Sequence, residues 1–199
     1  MSENMNDSDL IFSEEIEGTP ADSVNNDAFP AFAPGKYING RRDFVFTQKK
    51  TSDGTAYLSV KVTFDRSQFT NEAGETIKQY PPFETLTTLA PAGGGYSSVG
   101  RYLHAFGVEA KGLKGQALVD KIKETGETPV VVRTKLRDDW YNADTNPHGT
   151  RPDGFPKKDE TYFKDPNREN RYRSEVKDPE TGLLVKARAY VAGYQKYKG

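Results

Sequence analysis

The stretch Ala56–Phe64 alternates without a fault, and that constrains the fold more than any other feature. Leu58, Val60, Val62 and Phe64 fall on one face of an extended chain, while Tyr57, Ser59, Lys61 and Thr63 fall on the other. A slip of one residue would bury the polar set, so the pattern demands a half-buried strand held in a single register. Such a strand needs antiparallel partners. Residues 36–50 supply one, with Phe44 and Phe46 on a common face and Ser52-Asp53-Gly54 as the intervening turn. Residues 71–74 then turn the chain again, and residues 82–89 read as a third, less regular strand.

Pro91-Ala92-Gly93-Gly94-Gly95 breaks the sheet. Residues 97–106 read as a helix with Ser97 or Ser98 as N-cap and Gly107 as its stop. A second helix over residues 115–125 places Leu118, Val119 and Ile122 on one stripe and ends at Gly126. Alternation returns over residues 129–137, where Val130, Val132, Thr134 and Leu136 oppose Val131, Arg133, Lys135 and Arg137. It returns a last time over residues 184–197, where Val185, Ala187, Ala189 and Val191 oppose Lys186, Arg188 and Tyr190. Residues 139–182 between them hold five of the twelve prolines and little periodicity, too long for an ordinary loop. The expected fold is mainly β: a five-stranded OB-like barrel with helices between strands three and four, and a long, partly ordered insertion before the last strand.

Composition divides the chain. Counted with glycine and without tyrosine, apolar residues make up roughly 38%, below the ~45–50% of ordinary globular domains. Residues 1–34 account for part of the shortfall and read as a disordered acidic arm, with residues 35–199 as the folded domain. Residues 1–35 hold eight acids and no Lys or Arg, although the whole chain carries a net charge of only −1. The insertion is near neutral, with 8 basic and 10 acidic residues. The remaining body holds 20 basic against 11 acidic residues, a surplus suited to a polyanion. The N-terminus has neither a basic n-region nor an apolar h-region, and no apolar run approaches the ~20 residues that span a bilayer. The expectation is a cytoplasmic protein with no membrane association.

Few residues suit catalysis. With no cysteine there are no disulfides, thiolate zinc sites or cysteine nucleophiles. The run from Gly95 to Tyr102 has the spacing of a phosphate-binding loop, but Arg101 stands where Lys is required and Tyr102 where Ser or Thr is required. Asp138 and Asp139 are adjacent on an extended chain and point to opposite faces, so they read as a strand-end turn. His104 reads as a helix-surface residue and His148 as a loop residue. No enzyme activity, metal or cofactor is expected.

The binding signal recurs on three strands. Tyr57 and Lys61 share the polar face of the second, Arg133, Lys135 and Arg137 that of the fourth, and Lys186, Arg188 and Tyr190 that of the last. One of the adjacent pair Arg41 and Arg42 must turn inward or sit at a strand end. Lys and Arg neutralise phosphates, and aromatic faces stack bases. Phosphate contacts are therefore expected from Lys61, Arg133, Lys135, Arg137, Lys186 and Arg188, and base stacking from Tyr57, Trp140 and Tyr190. Trp140 has a second reading, as a cap on the barrel core. The expected partner is single-stranded DNA. Leu10, Ile11, Phe12 and Ile16 in the acidic arm could recruit replication or recombination proteins, and the arm itself could compete for the basic groove. The alternative is a virion structural or assembly protein.

The chain resembles the OB-fold single-stranded DNA-binding proteins of tailed bacteriophages. The resemblance rests on Gly35-Lys36-Tyr37, the strand over residues 57–64, the Gly-rich passage into a helix ending Phe106-Gly107, the helix before residues 129–137, and Ala187-Arg188-Ala189-Tyr190. It covers roughly residues 36–138 and 183–199. It implies non-catalytic coating of single strands during phage DNA replication or recombination. One departure is plain: better-known bacterial members carry an acidic tail at the C-terminus, whereas here the acids lie at the N-terminus.

Overall fold

A computed structural model describes residues 30–169 and 171–199. Its strands are β1 (Gly35–Asn39), β2 (Arg42–Lys50), β3 (Ala56–Phe64), β4 (Phe69–Asn71), β5 (Glu84–Thr87), β6 (Val130–Tyr141), β7 (Glu175–Lys177) and β8 (Leu184–Lys196). Two short helices, α1 (Ser98–His104) and α2 (Gly115–Glu124), lie between β5 and β6. The described chain is thus mainly β. A three-stranded sheet runs β2-β3-β5, and a curled five-stranded antiparallel half-barrel runs β4-β1-β6-β8-β7. Residues 1–29, most of the acidic arm with its Leu10, Ile11, Phe12 and Ile16, lie outside the described residues.

The alternation of β3 is realised from Val60 onward, where Val60, Val62 and Phe64 are buried and Lys61 and Thr63 exposed; before it Ser59, expected on the polar face, is buried and Leu58 only half-buried. The strand expected over residues 36–50 is divided, and its halves join different sheets. Tyr37 and Asn39 point inward from β1, but Arg42, Phe44 and Phe46 are the inward set of β2. The phase of burial therefore slips by one residue at Gly40 and Arg41. The two crossing residues bond outside either ladder: the Gly40 N–H donates to the Gln68 carbonyl at 3.0 Å and the Arg41 carbonyl accepts from the Asp65 N–H at 2.9 Å.

Arg42 is the inward member of the arginine pair and only 2% exposed. Its Nε donates to the Tyr102 Oη at 2.8 Å and its Nη1 to the Asn39 Oδ1 at 3.1 Å. Its Nη2 donates to the carbonyls of Thr125 and Thr128, just beyond the end of α2. A buried charge without an acidic partner is costly unless its donors are satisfied. Here its donors are taken up by Asn39, Tyr102 and the two loop carbonyls, and it lies 4.8 Å from the Phe106 ring centroid.

The third strand is shorter than expected. Pro82 brings no N–H to a ladder, and the Thr88 hydroxyl accepts from the Leu58 N–H at 3.0 Å just past β5. Ser97 is the N-cap of α1, its Oγ accepting from the Gly100 N–H at 3.1 Å, and Gly107 follows with φ 74°. Helix α1 buries Val99, Tyr102 and Leu103, and α2 buries Leu118 and Ile122 with Val119 half-buried.

The β6–β8 ladder spans both cores. β6 runs through Tyr141, four residues beyond the expected end. Asp138 and Asp139 sit inside the ladder opposite Ala187 and Lys186, not in a turn. The register shifts between Arg133 and Thr134, leaving Ala192 unpaired. This bulge changes the phase of β8, so that Val191 and then Tyr194 point inward, and Tyr194 meets Tyr102 edge-on at 4.9 Å.

At the far end of the same ladder the insertion has a core of its own. Leu136, Trp140, Phe163, Val176 and Val185 form it, with Phe155, Tyr162 and Tyr172 packed around them. A 3-10 turn, Glu160–Phe163, delivers Phe163, and β7 pairs with the start of β8. Residues 30–34, assigned by sequence to the arm, belong to the body: Phe32 is buried among Tyr37 and Phe69, and the Tyr37 hydroxyl donates to the Ala33 carbonyl at 2.8 Å.

Candidate nucleic-acid interface

Because β6 and β8 alternate in step, their polar residues share the outer face of the five-stranded sheet. Arg133, Lys135 and Arg137 are exposed there on β6, beside exposed Arg188 and half-buried Lys186 on β8. Register sets the spacing: Arg137 lies directly opposite Arg188, Lys135 opposite Tyr190, and Asp139 opposite Lys186. On the other side of β6, Lys36 of β1 lies directly opposite Arg133. Facing side chains on neighbouring strands stand only about 5 Å apart, and like charges so placed destabilise a sheet. Two such pairs, Arg137 with Arg188 and Lys36 with Arg133, therefore mark a face assembled against its own electrostatic preference.

Acids answer some of this charge. The Asp139 carboxylate holds the Arg188 Nε at 2.5 Å, and Glu175 holds the Lys186 Nζ at 3.4 Å. Lys186 also lies 5.0 Å from the Tyr141 ring centroid. Arg133, Lys135 and Arg137 form no ion pair among the described residues, so they are the cations readiest to take a phosphate.

The two sheets do not close on each other. β5 pairs only with β3, and beyond Ala187 the second edge of β8 has no ladder partner among the described residues. The Tyr194 hydroxyl bridges this seam by donating to the Glu84 carboxylate, and α1 packs against both strands. Burial pushes Glu84 up to about 7, although the Tyr194 hydrogen bond and the Arg101 charge pull it down. Burial also drives the Tyr194 hydroxyl well above its ordinary value, with the Glu84 charge adding to the shift.

Alongside the seam is a cleft of about 590 Å³. Arg137, Arg188 and Tyr190 form one bank, and Tyr80, Pro82, Phe83 and Thr85 form the other. Tyr80 is 80% exposed, Phe83 63% and Tyr190 36%. Lys61, on the outer face of β3, reaches this bank because its Nζ lies 4.7 Å from the Phe83 ring centroid. Arg66 stands in the same relation to Tyr80, at 4.4 Å.

Arg133, Lys135, Arg137, Lys186, Arg188 and Tyr190 thus come together, and Lys61 joins them across the cleft. Two expected base-stacking residues do not. Trp140 is fully buried in the insertion's core, its Nε1 donating to the Asp138 Oδ2 at 2.7 Å and its ring 5.3 Å from that of Phe155. The alternative reading, a cap on the barrel core, is right about burial but not about place, because Trp140 packs in the insertion's separate core. Tyr57 is half-buried at the far end of β3, roughly 13 Å along the strand from Lys61. There it lines a different groove with Leu113, Leu118 and Val119. Sequence reasoning overlooked Tyr80, Phe83, Arg66 and Lys36. The sign of the first two was legible: Tyr80-Pro81-Pro82-Phe83 sets aromatic rings on either side of two prolines that bar a regular strand.

His104 and His148 are both exposed, and among the described residues no group of three or more His, Cys, Asp or Glu gathers to hold a metal. No helix among them is long and apolar enough to cross a membrane. Comparison of the chain with known protein families, curated proteins and solved structures finds no match.

Proposed function

We propose that this chain is a non-catalytic single-stranded DNA-binding protein built on an OB-like barrel. The order of its elements supports the fold: a β2-β3-β5 meander, a bent first strand joined through β1 to β6, helices between β5 and β6, and β8 returning beside β6. One observation carries the function. Lys36, Arg133, Arg137 and Arg188 form like-charged pairs directly across strands on one exposed face, an arrangement that a bound polyanion relieves. Single-stranded rather than duplex DNA fits because the face is a sheet edged by aromatics, with no basic recognition helix among the described residues. The resemblance noted above adds the setting, phage DNA replication or recombination.

Fluorescence anisotropy of labelled oligo-dT, titrated at several salt concentrations, tests the reading. Log affinity is expected to fall with log salt at about 0.7 per phosphate neutralised. Arg133→Glu combined with Lys135→Glu is expected to abolish binding while circular dichroism stays unchanged. A folded double variant with full affinity overturns the assignment of this face.

A further inference from the structure

The cleft beside the seam holds Tyr80 and Phe83, two exposed rings that each lie against a cation. An exposed ring costs free energy unless something covers it, and a cluster of such rings marks a binding surface. Here the rings are also held in place. Pro81 and Pro82 restrict the backbone between Tyr80 and Phe83, and the Arg66 Nη1 donates to the Lys78 carbonyl at 3.3 Å, tying that segment to the chain after β3. Each ring already has a cation near it, Arg66 at Tyr80 and Lys61 at Phe83. A cation occupies one face of a ring and leaves the other for a flat partner.

We propose that this cleft is the base-binding part of the interface, where Tyr80, Phe83 and Tyr190 stack unpaired bases while Arg137 and Arg188 hold the phosphates between them. The inference rests on the single-strand reading above and deepens it. The outer face of β6 and β8 is a track for the backbone, and the seam is where that track crosses to β3. Bases in a duplex have their faces covered by neighbouring pairs, so only an unpaired strand offers what these rings need. Glu84 also lines the cleft, but its carboxylate is engaged by the Tyr194 hydroxyl. The ligand class is therefore unpaired polynucleotide of little sequence preference, because every base has a π-face.

An oligonucleotide of abasic sites keeps the phosphates and lacks the bases, which separates the two parts of the interface. The full chain is expected to bind oligo-dT about tenfold or more tightly than an abasic oligomer of equal length at the same salt. Tyr80→Ala with Phe83→Ala removes exposed rings and little packing. It is expected to weaken oligo-dT binding roughly tenfold to a hundredfold, with abasic affinity and the salt slope unchanged. Oligo-dT carrying 5-iodouracil is expected to photocrosslink to Tyr80, Phe83 or Tyr190. Double-variant affinity within about twofold of the native protein, or crosslinks confined to other residues, overturns the base-binding cleft while the basic face stands. Failure of the native chain to bind either oligomer removes the single-strand reading itself.

Discussion

The β6–β8 ladder serves two cores, and they are built on different terms. At one end Val130, Val132 and Val191 join Val60, Val62, Leu86 and the helices in a core that two sheets enclose. At the other end Leu136, Trp140 and Val185 meet Phe163, Val176 and Phe155, which arrive on turns and one short strand. The first core draws on periodic segments, each with a continuous apolar face. The second draws on a few large rings that make up in area what their segments lack in pattern, since an aromatic side chain buries as much surface as two or three small ones. Burial without periodicity is possible wherever a rigid ladder already offers a platform.

Breaking each core separately sharpens that comparison. The largest effect is expected from Arg42→Ala in the first core. It removes a buried guanidinium that holds the Tyr102 hydroxyl, the Asn39 Oδ1 and the Thr125 and Thr128 carbonyls together, and it leaves the guanidinium's volume empty against Phe106. A loss of about 4 kcal/mol or more is expected, read from urea denaturation as a lower midpoint or an unfolded chain. A loss under about 1 kcal/mol would mean that water replaces the guanidinium and that the first core is looser than its geometry implies.

Trp140→Ala in the second core is expected to cost about 3 kcal/mol through the cavity it leaves. The more telling readout is where the loss falls. Hydrogen exchange is expected to lose protection over residues 155–176 while β2 and β3 keep theirs. Equal loss in both regions would show that the two clusters melt as one cooperative unit.

The smallest effect lies at the seam that the first core leaves open. Glu84 has its folded value raised from 4.5 to about 7 by burial, with Tyr194, Tyr102 and Arg101 beside it. The folded state therefore holds the proton more tightly than the unfolded state does. That contribution is complete below the unfolded value and is lost as pH rises to about 7. Glu84→Gln is expected to flatten this slope and to be more stable than the native chain at pH above 7, by roughly 2 kcal/mol. Urea midpoints of both proteins across this range check it. The two proteins differ at this side chain alone, so the difference between the curves isolates Glu84. Parallel curves would mean that water enters the seam and relieves the burial.

How much of this was legible follows the same division. β3, the outward set Arg133, Lys135 and Arg137, the Ser97 cap and the Gly107 stop could all be read directly, because each depends on neighbours within a few positions. The break at Gly40 was not legible, because it depends on β1 pairing with β4 and β6 while β2 pairs with β3. Trp140 shows the limit. It follows a basic strand and could equally face solvent or core, and residues more than twenty positions further on, Phe163 and Val176, decided which. Tyr80 and Phe83 were passed over for the converse reason, since their worth depends on lying across a cleft from Arg188 and Tyr190.

By itself the sequence determined the long alternating strands β3 and β6 and the first part of β8, the outward faces of β6 and β8 before the bulge, and the segregation of acid from base, because periodicity and composition are local quantities. Tertiary structure alone decided which strand edges meet and which stay open. It also decided that Trp140 is buried and which cations stand opposite one another. Those outcomes turn on register and on contacts between residues far apart in the chain, where a shift of one position in β8 moves a side chain from core to surface.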